Sequence, residues 1–233
     1  MITTVLRRHA FVIAATLAAA LLPPASAHSA APHPASTHTA ASTHTAASAP
    51  ARASAPAHAP FAAAAAANSC PRVDDHLYAA ADRRADLARI TPAPSWRIDC
   101  KQLYRADGRP PAVVFEEGFH PRDTVGGQYD LEQYVLVNQP SPYVSTTYDH
   151  DLYKTWWKSG YNYYIDAPGG IDVNRTIGDT HKWASQVEVA FPGGIASRFI
   201  VGVCPVDKAT KTEIMNECQD NPNYVPWRNS LPA

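Results

Sequence analysis

The chain has 233 residues, of which 20 are basic and 21 acidic, for a formal net charge of −1 at pH 7. All 21 carboxylates follow Asn68, where only 17 basic residues face them, a formal −4 for that part of the chain. Such a balance argues against a protein that coats nucleic acid through counterion release, but it permits recognition of a single base in a pocket by stacking and edge hydrogen bonds.

Arg7 and Arg8, the apolar stretch from Ala10 to Leu22 and the small-residue site Ala25-Ser26-Ala27 read as an export signal over residues 1–27. The apolar run falls short of the roughly 20 residues a membrane-spanning helix needs, so the mature protein is expected to be secreted and extracellular. Residues 28–68 are almost entirely Ala, Pro, Ser, Thr and His, and Ala35 to Ala40 repeats at once as Ala41 to Ala46. This stretch has almost nothing to bury and reads as a low-complexity spacer. Its histidines (His28, His33, His38, His44, His58) lack Cys or carboxylate partners, so no metal site is expected there. The remainder, 69–233, is long enough for one domain with its own core.

Within that domain a helix is predicted to open at Asp74 or Asp75 and to carry Leu77, Ala81 and Leu87 inward. Tyr104-Arg105 reads as the end of a strand. Pro111 suits the first turn of a short helix holding Val114 and Phe115, with Gly118 as its C-cap. A strand from Tyr143 to Tyr148 follows the breaker Pro140-Ser141-Pro142. Asp149 or Asp151 caps a helix containing Tyr153, Trp156 and Trp157 that stops at Gly160, and at least one of those tryptophans is expected in the core. Later strands are predicted at Tyr161 to Ala167, Gln186 to Phe191 and Phe199 to Cys204, with Pro192-Gly193-Gly194 turning between the last two. Gly126-Gly127 and Gly169-Gly170 begin no phosphate-loop pattern and read as turns. Helices mostly first and strands mostly last favour an α+β fold.

Four cysteines, Cys70, Cys100, Cys204 and Cys218, fall inside the domain, and an even number in an exported chain argues for two disulfides. Three pairings are possible. Cys70 with Cys100 and Cys204 with Cys218 is the local one, and no Cys-x-x-Cys pair supports a zinc site instead.

Three segments fit one chemistry, the breaking of the nicotinamide bond of NAD. Arg105 offers a planar fork for a diphosphate, Ser145-Thr146-Thr147 a strand of hydroxyls for a pocket floor, and Gln186-Val187-Glu188 a carboxylate to stabilise a sugar cation. Strand alternation puts Val187, Val189 and Phe191 on one face and Gln186 and Glu188 on the other. Taken alone, that pattern is better described as the solvent face of an edge strand, and only the other segments shift the balance.

Leu103-Tyr104-Arg105-Ala106-Asp107-Gly108-Arg109-Pro110-Pro111, continuing into Val114-Phe115 and Gly118-Phe119, resembles the opening motif of bacterial mono-ADP-ribosyltransferase toxins of the pertussis and cholera type. Tyr143-Val144-Ser145-Thr146-Thr147 resembles their Ser-Thr-Ser strand, and Gln186-Val187-Glu188 their Gln/Glu-x-Glu, in the family's order. Tyr129-Asp130-Leu131, the run from Asn138 to Tyr143, the run from Tyr148 to Asp166, and Trp183 are similar to the scabin- and pierisin-like DNA-targeting branch. The resemblance implies two packed, mostly antiparallel sheets with flanking helices and an NAD cleft. It implies that Arg105, Asp107, Asn138, Ser145, Thr146 and Trp156 hold NAD, that Trp183, Trp157 and Lys158 border the acceptor, and that Glu188 and Gln186 are catalytic. Asn138 before Gln139-Pro140 equally suits a turn, and Thr146 and Thr147 equally suit plain strand positions.

At the Gln186 position, members that modify protein arginine usually carry Glu. An amide cannot deprotonate a guanidinium but can donate and accept at the edge of guanine, in DNA or in a free nucleoside or nucleotide. The expected protein is thus a secreted, monomeric NAD-dependent mono-ADP-ribosyltransferase that needs no metal and no membrane. Its rivals are transfer to a protein side chain or to water, and a noncatalytic module that binds a nucleotide or glycan.

Overall fold

The computed structural model describes residues 70–229, so the expected signal, the whole of the spacer and its boundary lie outside the described residues. The chain opens irregularly. Asp75 accepts a hydrogen bond from the Leu77 amide as a capping residue would, yet only a turn forms over 76–79. The predicted helix is absent because the segment gives its backbone to the turn at 193–196: the Asp82 amide donates to the Gly193 carbonyl and the Ala79 carbonyl accepts from Ala196. Only a 3-10 turn, Leu87–Arg89, capped by Asp86, follows in that stretch.

Strand β1 spans Leu103–Asp107, with Tyr104 and Arg105 near its middle rather than at its end. Helix α1, Pro111–Glu117, begins on Pro at its first position and stops at Gly118, whose φ of 77° suits glycine. Helix α2, Leu131–Val137, was not foreseen; Asp130 caps it by accepting from the Gln133 amide, and Asn138 ends it in the left-handed region. Strand β2 is Tyr143–Thr147. Where one helix was expected there are two 3-10 turns, His150–Lys154 capped by Asp149 and Trp157–Ser159 ended by Gly160. His150 is drawn to the sheet by the Tyr164 hydroxyl at 3.0 Å and the Glu213 carboxylate at 3.2 Å, so the first turn winds no further.

Strand β3 is Tyr161–Ile165, β4 Ile171–Asp172, β5 Glu188–Pro192, β6 Ile200–Asp207, β7 Thr212–Glu213 and β8 Gln219–Asp220; helix α3, Val173–Ile177, is capped by Asp172. The α+β class is as expected. The strands connect in one antiparallel path, β4-β5-β2-β1-β3-β6-β7, with β8 on β6. Thus β5 and β6 are far apart in the sheet, and Gly193-Gly194 turns the chain away instead of closing a hairpin. A Cβ on either glycine would collide with the Asp82 or Phe119 carbonyl oxygen.

The main core lies on one side of the strands, where Leu103, Phe119, Tyr163, Ile165, Val189, Phe191 and Phe199 pack with α1. A second cluster joins α2 and α3 to the strands through Leu131, Tyr134, Val135, Ile171, Val173 and Ala190. This second cluster fixes α2 beside β2 and β5, the placement on which the site depends. The final segment is tied down by buried Asp166, which accepts from Tyr224, Trp227 and Arg228.

Both local disulfides form, Cys70 with Cys100 and Cys204 with Cys218. The second closes a loop with a sequence separation of 14 onto Cys204, buried in the middle of β6. Loop entropy assigns such a closure about 3 kcal/mol. Replacing Cys204 and Cys218 together by Ala is therefore expected to lower the midpoint of a calorimetric melt by about 6–12 °C.

Candidate active site

Three neighbouring strands supply the polar groups that matter: β1 carries Arg105, β2 Ser145 and β5 the residue Glu188. β2 binds both partners, with Tyr104 opposite Thr147 and Thr147 opposite Glu188. They open onto a cleft of about 380 Å³ that α2 closes from one side and Trp156 and Trp183 border from the other.

Arg105 is held at two points. Its Nε donates to Asp107 at 2.9 Å and its Nη1 to the Ser145 carbonyl at 2.6 Å, and its guanidinium lies 5.3 Å from the Phe119 ring centre. Nη2 has no protein partner among the described residues, so a fixed cation enters the cleft with a donor to spare, as diphosphate binding requires. Asp107 itself does not line the cleft. It is buried and also accepts from Arg109. Burial pushes its pKa up, but the Arg109 hydrogen bonds and the charge of Arg105 outweigh burial and hold it well below the usual carboxylate range. Asp107 therefore braces Arg105; the expected contact with NAD is not supported by its position.

Glu188 accepts a hydrogen bond from the Tyr134 hydroxyl at 3.1 Å to Oε1, and the Ser145 hydroxyl beside it also favours its charged form. Burial raises its pKa above the usual value, and those hydroxyls with the charge of Arg105 oppose the rise. Burial and the neighbouring carboxylate raise the Tyr134 pKa well above 10, so Tyr134 stays a neutral donor. A carboxylate desolvated but supplied with donors is suited to a developing cation, because its charge is not quenched by bulk water. Tyr134→Phe removes a donor that favours the charged form, which raises the Glu188 pKa further. The acid limb of the kcat profile is expected to move to higher pH, as a pH series of nicotinamide release would measure.

Gln186 and Glu188 both line the cleft, but not by strand alternation as predicted. β5 starts at Glu188; Gln186 ends a 3-10 turn, Ala184–Gln186, and Val187 between them is left-handed at φ 42°. For a β-branched residue this conformation costs on the order of 1–3 kcal/mol. Thr146 Oγ1 is spent on the Val189 carbonyl at 2.8 Å, so its hydroxyl serves the strand.

Asn138 lines the cleft and also terminates α2, with its side chain and carbonyl accepting from Arg122 at 2.7 and 2.6 Å. Trp156 and Trp183 line the cleft and are 46% and 38% exposed, which leaves ring surface available for stacking. Trp157 and Lys158 do not line it. Trp157 is half-buried, with the Lys158 and Lys211 ammonium groups each 5.5 Å from its ring centre, and neither tryptophan is in the core. The 3-10 geometry explains this, since the two-turn segment lies along the rim instead of presenting one face to the sheet. Tyr134 and Tyr104, both cleft residues, were missed; for Tyr134 the signal was Asp130 as N-cap followed by Leu131, Tyr134 and Val135 at helical spacing.

The architecture is the ADP-ribosyltransferase fold. The family model described as Scabin-like matches residues 103–224. A guanine-specific ADP-ribosyl transferase from Streptomyces coelicolor is 72% identical over 162 residues, covering 70% of this chain and 79% of that protein. Pierisin from Pieris brassicae is 41% identical over 117 residues, 45% of this chain and 14% of pierisin. The solved structure of the scabin toxin from Streptomyces scabies in complex with NADH is 72% identical with a TM-score of 0.68, covering 70% of this chain and 99% of the solved chain. The chain belongs to the Scabin-like family.

Proposed function

We propose that this protein is a secreted mono-ADP-ribosyltransferase that cleaves NAD and passes ADP-ribose to guanine, in DNA or in guanine nucleosides and nucleotides. The observation that carries the mechanism is Glu188, desolvated yet held by Tyr134 and Ser145 in the same cleft as the fixed guanidinium of Arg105. Arg105 grips the diphosphate. Glu188 takes the hydroxyls of the nicotinamide-side ribose and stabilises the oxocarbenium-like state as nicotinamide departs with the bonding pair. Trp156 and Trp183 border this space with exposed rings, and Gln186 holds the edge of the incoming base through its amide. No step in this scheme requires a metal. Residues 1–27 direct export, 28–68 act as a spacer and 69–233 form the catalytic domain.

The test is mass spectrometry of the protein incubated with NAD and, separately, duplex DNA, deoxyguanosine or an arginine-rich protein. One ADP-ribose added to guanine supports the reading. Labelling of the arginine-rich protein alone, or nicotinamide release with no acceptor labelled, would replace it with protein transfer or glycohydrolysis.

A further inference from the structure

Three non-glycine residues are left-handed among the described residues, Asn138, Val187 and Lys211, and only Val187 is β-branched. Asparagine adopts that region readily and an unbranched side chain adopts it with less crowding than valine does. A strained conformation persists only where its surroundings over-determine it.

Those surroundings are specific. Thr147 Oγ1 donates to the Gln186 carbonyl at 2.6 Å and accepts from the Asp149 amide at 2.9 Å. The Val187 amide donates to the Ala184 carbonyl at 3.2 Å, and the Val187 carbonyl accepts from Tyr148 at 3.4 Å. The Ala184 carbonyl is also held by Asn174 Nδ2 at 2.8 Å, and Asn174 Oδ1 lies 3.0 Å from His181 Nε2, which pins the loop to α3. The peptide of Gln186 is thus fixed on both sides. Glu188 has separate supports: its β5 pairing to Thr147 in the ladder and the hydroxyls of Tyr134 and Ser145.

We propose that Val187 and Thr147 form a latch that sets Gln186 toward the acceptor and so decides how much ADP-ribose goes to guanine instead of water. The inference rests on the guanine-transfer reading above. In either outcome the C–N bond of NAD breaks and nicotinamide leaves with the electron pair. The ribosyl carbon then bonds to a guanine nitrogen or to a water oxygen, and that nucleophile gives up one proton. Water needs no positioned edge, whereas guanine must be held in line, so misplacement of Gln186 penalises transfer more than bond cleavage. Val187 and Thr147 are positioning residues that act through Gln186.

The experiment measures ADP-ribosyl-guanine, free ADP-ribose and nicotinamide for wild type, Val187→Gly, Val187→Asn, Thr147→Val and Thr147→Ser, with thermal melts to establish folding. Val187→Gly frees the backbone, and Thr147→Val removes the hydroxyl that clamps it. Both are expected to lower the ratio of transfer to hydrolysis on the order of tenfold or more, with nicotinamide release by Val187→Gly close to wild type. Val187→Asn, which accepts the left-handed conformation, and Thr147→Ser, which keeps the hydroxyl, are expected to retain the wild-type ratio. An unchanged ratio in folded Val187→Gly and Thr147→Val, or cleavage falling in parallel with transfer, overturns the latch. Wild type that makes only free ADP-ribose with every guanine acceptor overturns the guanine reading instead, and the two failures are distinct in the same data.

Discussion

Glu188→Gln is expected to lower kcat for nicotinamide release by about 10³-fold while leaving the protein at least as stable as wild type. The amide keeps the shape of the side chain and can still accept from the Tyr134 hydroxyl, so binding of NAD should change little. What it lacks is the negative charge that the oxocarbenium-like state needs in a site screened from water. The stability expectation follows from linkage. The folded-state pKa of Glu188 lies above its ordinary value of 4.5 because of burial. Below the ordinary value both folded and unfolded carboxyls are protonated and ionisation costs nothing. As pH rises through the folded-state pKa, the unfolded chain ionises freely while the folded one resists, and wild type loses stability that the amide variant does not. Melts at neutral pH and at about pH 4 should show the advantage of the variant at neutral pH and its loss in acid. A variant that is less stable at neutral pH, or that retains more than about a tenth of wild-type turnover, would show that the carboxylate serves the fold rather than the reaction.

Where local chemistry was decisive, the structure could be anticipated. Pro111 and Gly118 bound a helix because a fixed φ suits its first turn and a missing Cβ suits its end. Tyr143–Thr147 is a strand because β-branched and aromatic residues follow a proline breaker. The two disulfides fall between cysteines close in sequence. Where tertiary partners decided, anticipation failed. Asp75 caps as its type suggests, but the amides and carbonyls that would have continued a helix are committed to Gly193 and Ala196, more than a hundred residues away. Gln186 and Glu188 reach the same cleft, as strand alternation also required, yet by a different route. A valine between them adopts a conformation its type disfavours, and the groups that hold it, the Thr147 hydroxyl on the Gln186 carbonyl and the Tyr148 amide on its own, lie about forty residues earlier in the chain. Tyr134 was missed for the same reason, since nothing near Asp130 announces that its helix will lie against a carboxylate 54 residues on.

Arg105→Lys is expected to reduce kcat/KM for NAD by about two orders of magnitude, carried mainly by KM. The guanidinium does three things at once: Nε binds Asp107, Nη1 binds the Ser145 carbonyl, and the unpaired Nη2 remains for the substrate. An ammonium keeps the charge but has no planar fork, so it can satisfy the braces or the diphosphate but not both. Each hydrogen bond between charged groups contributes about 1.5–3 kcal/mol, and losing one such bond together with bidentate alignment amounts to about 3 kcal/mol. Asp107 is still paired with Arg109 in the variant, which limits the structural cost and makes the comparison fair. Initial rates of nicotinamide release across a range of NAD concentrations, with a binding titration of NAD on a Glu188→Gln background, separate the two possibilities. Weaker binding in the doubly substituted protein than in Glu188→Gln alone assigns Arg105 to the diphosphate. Equal binding in both would restrict Arg105 to bracing Ser145, and through it Glu188, and the loss would then appear in kcat.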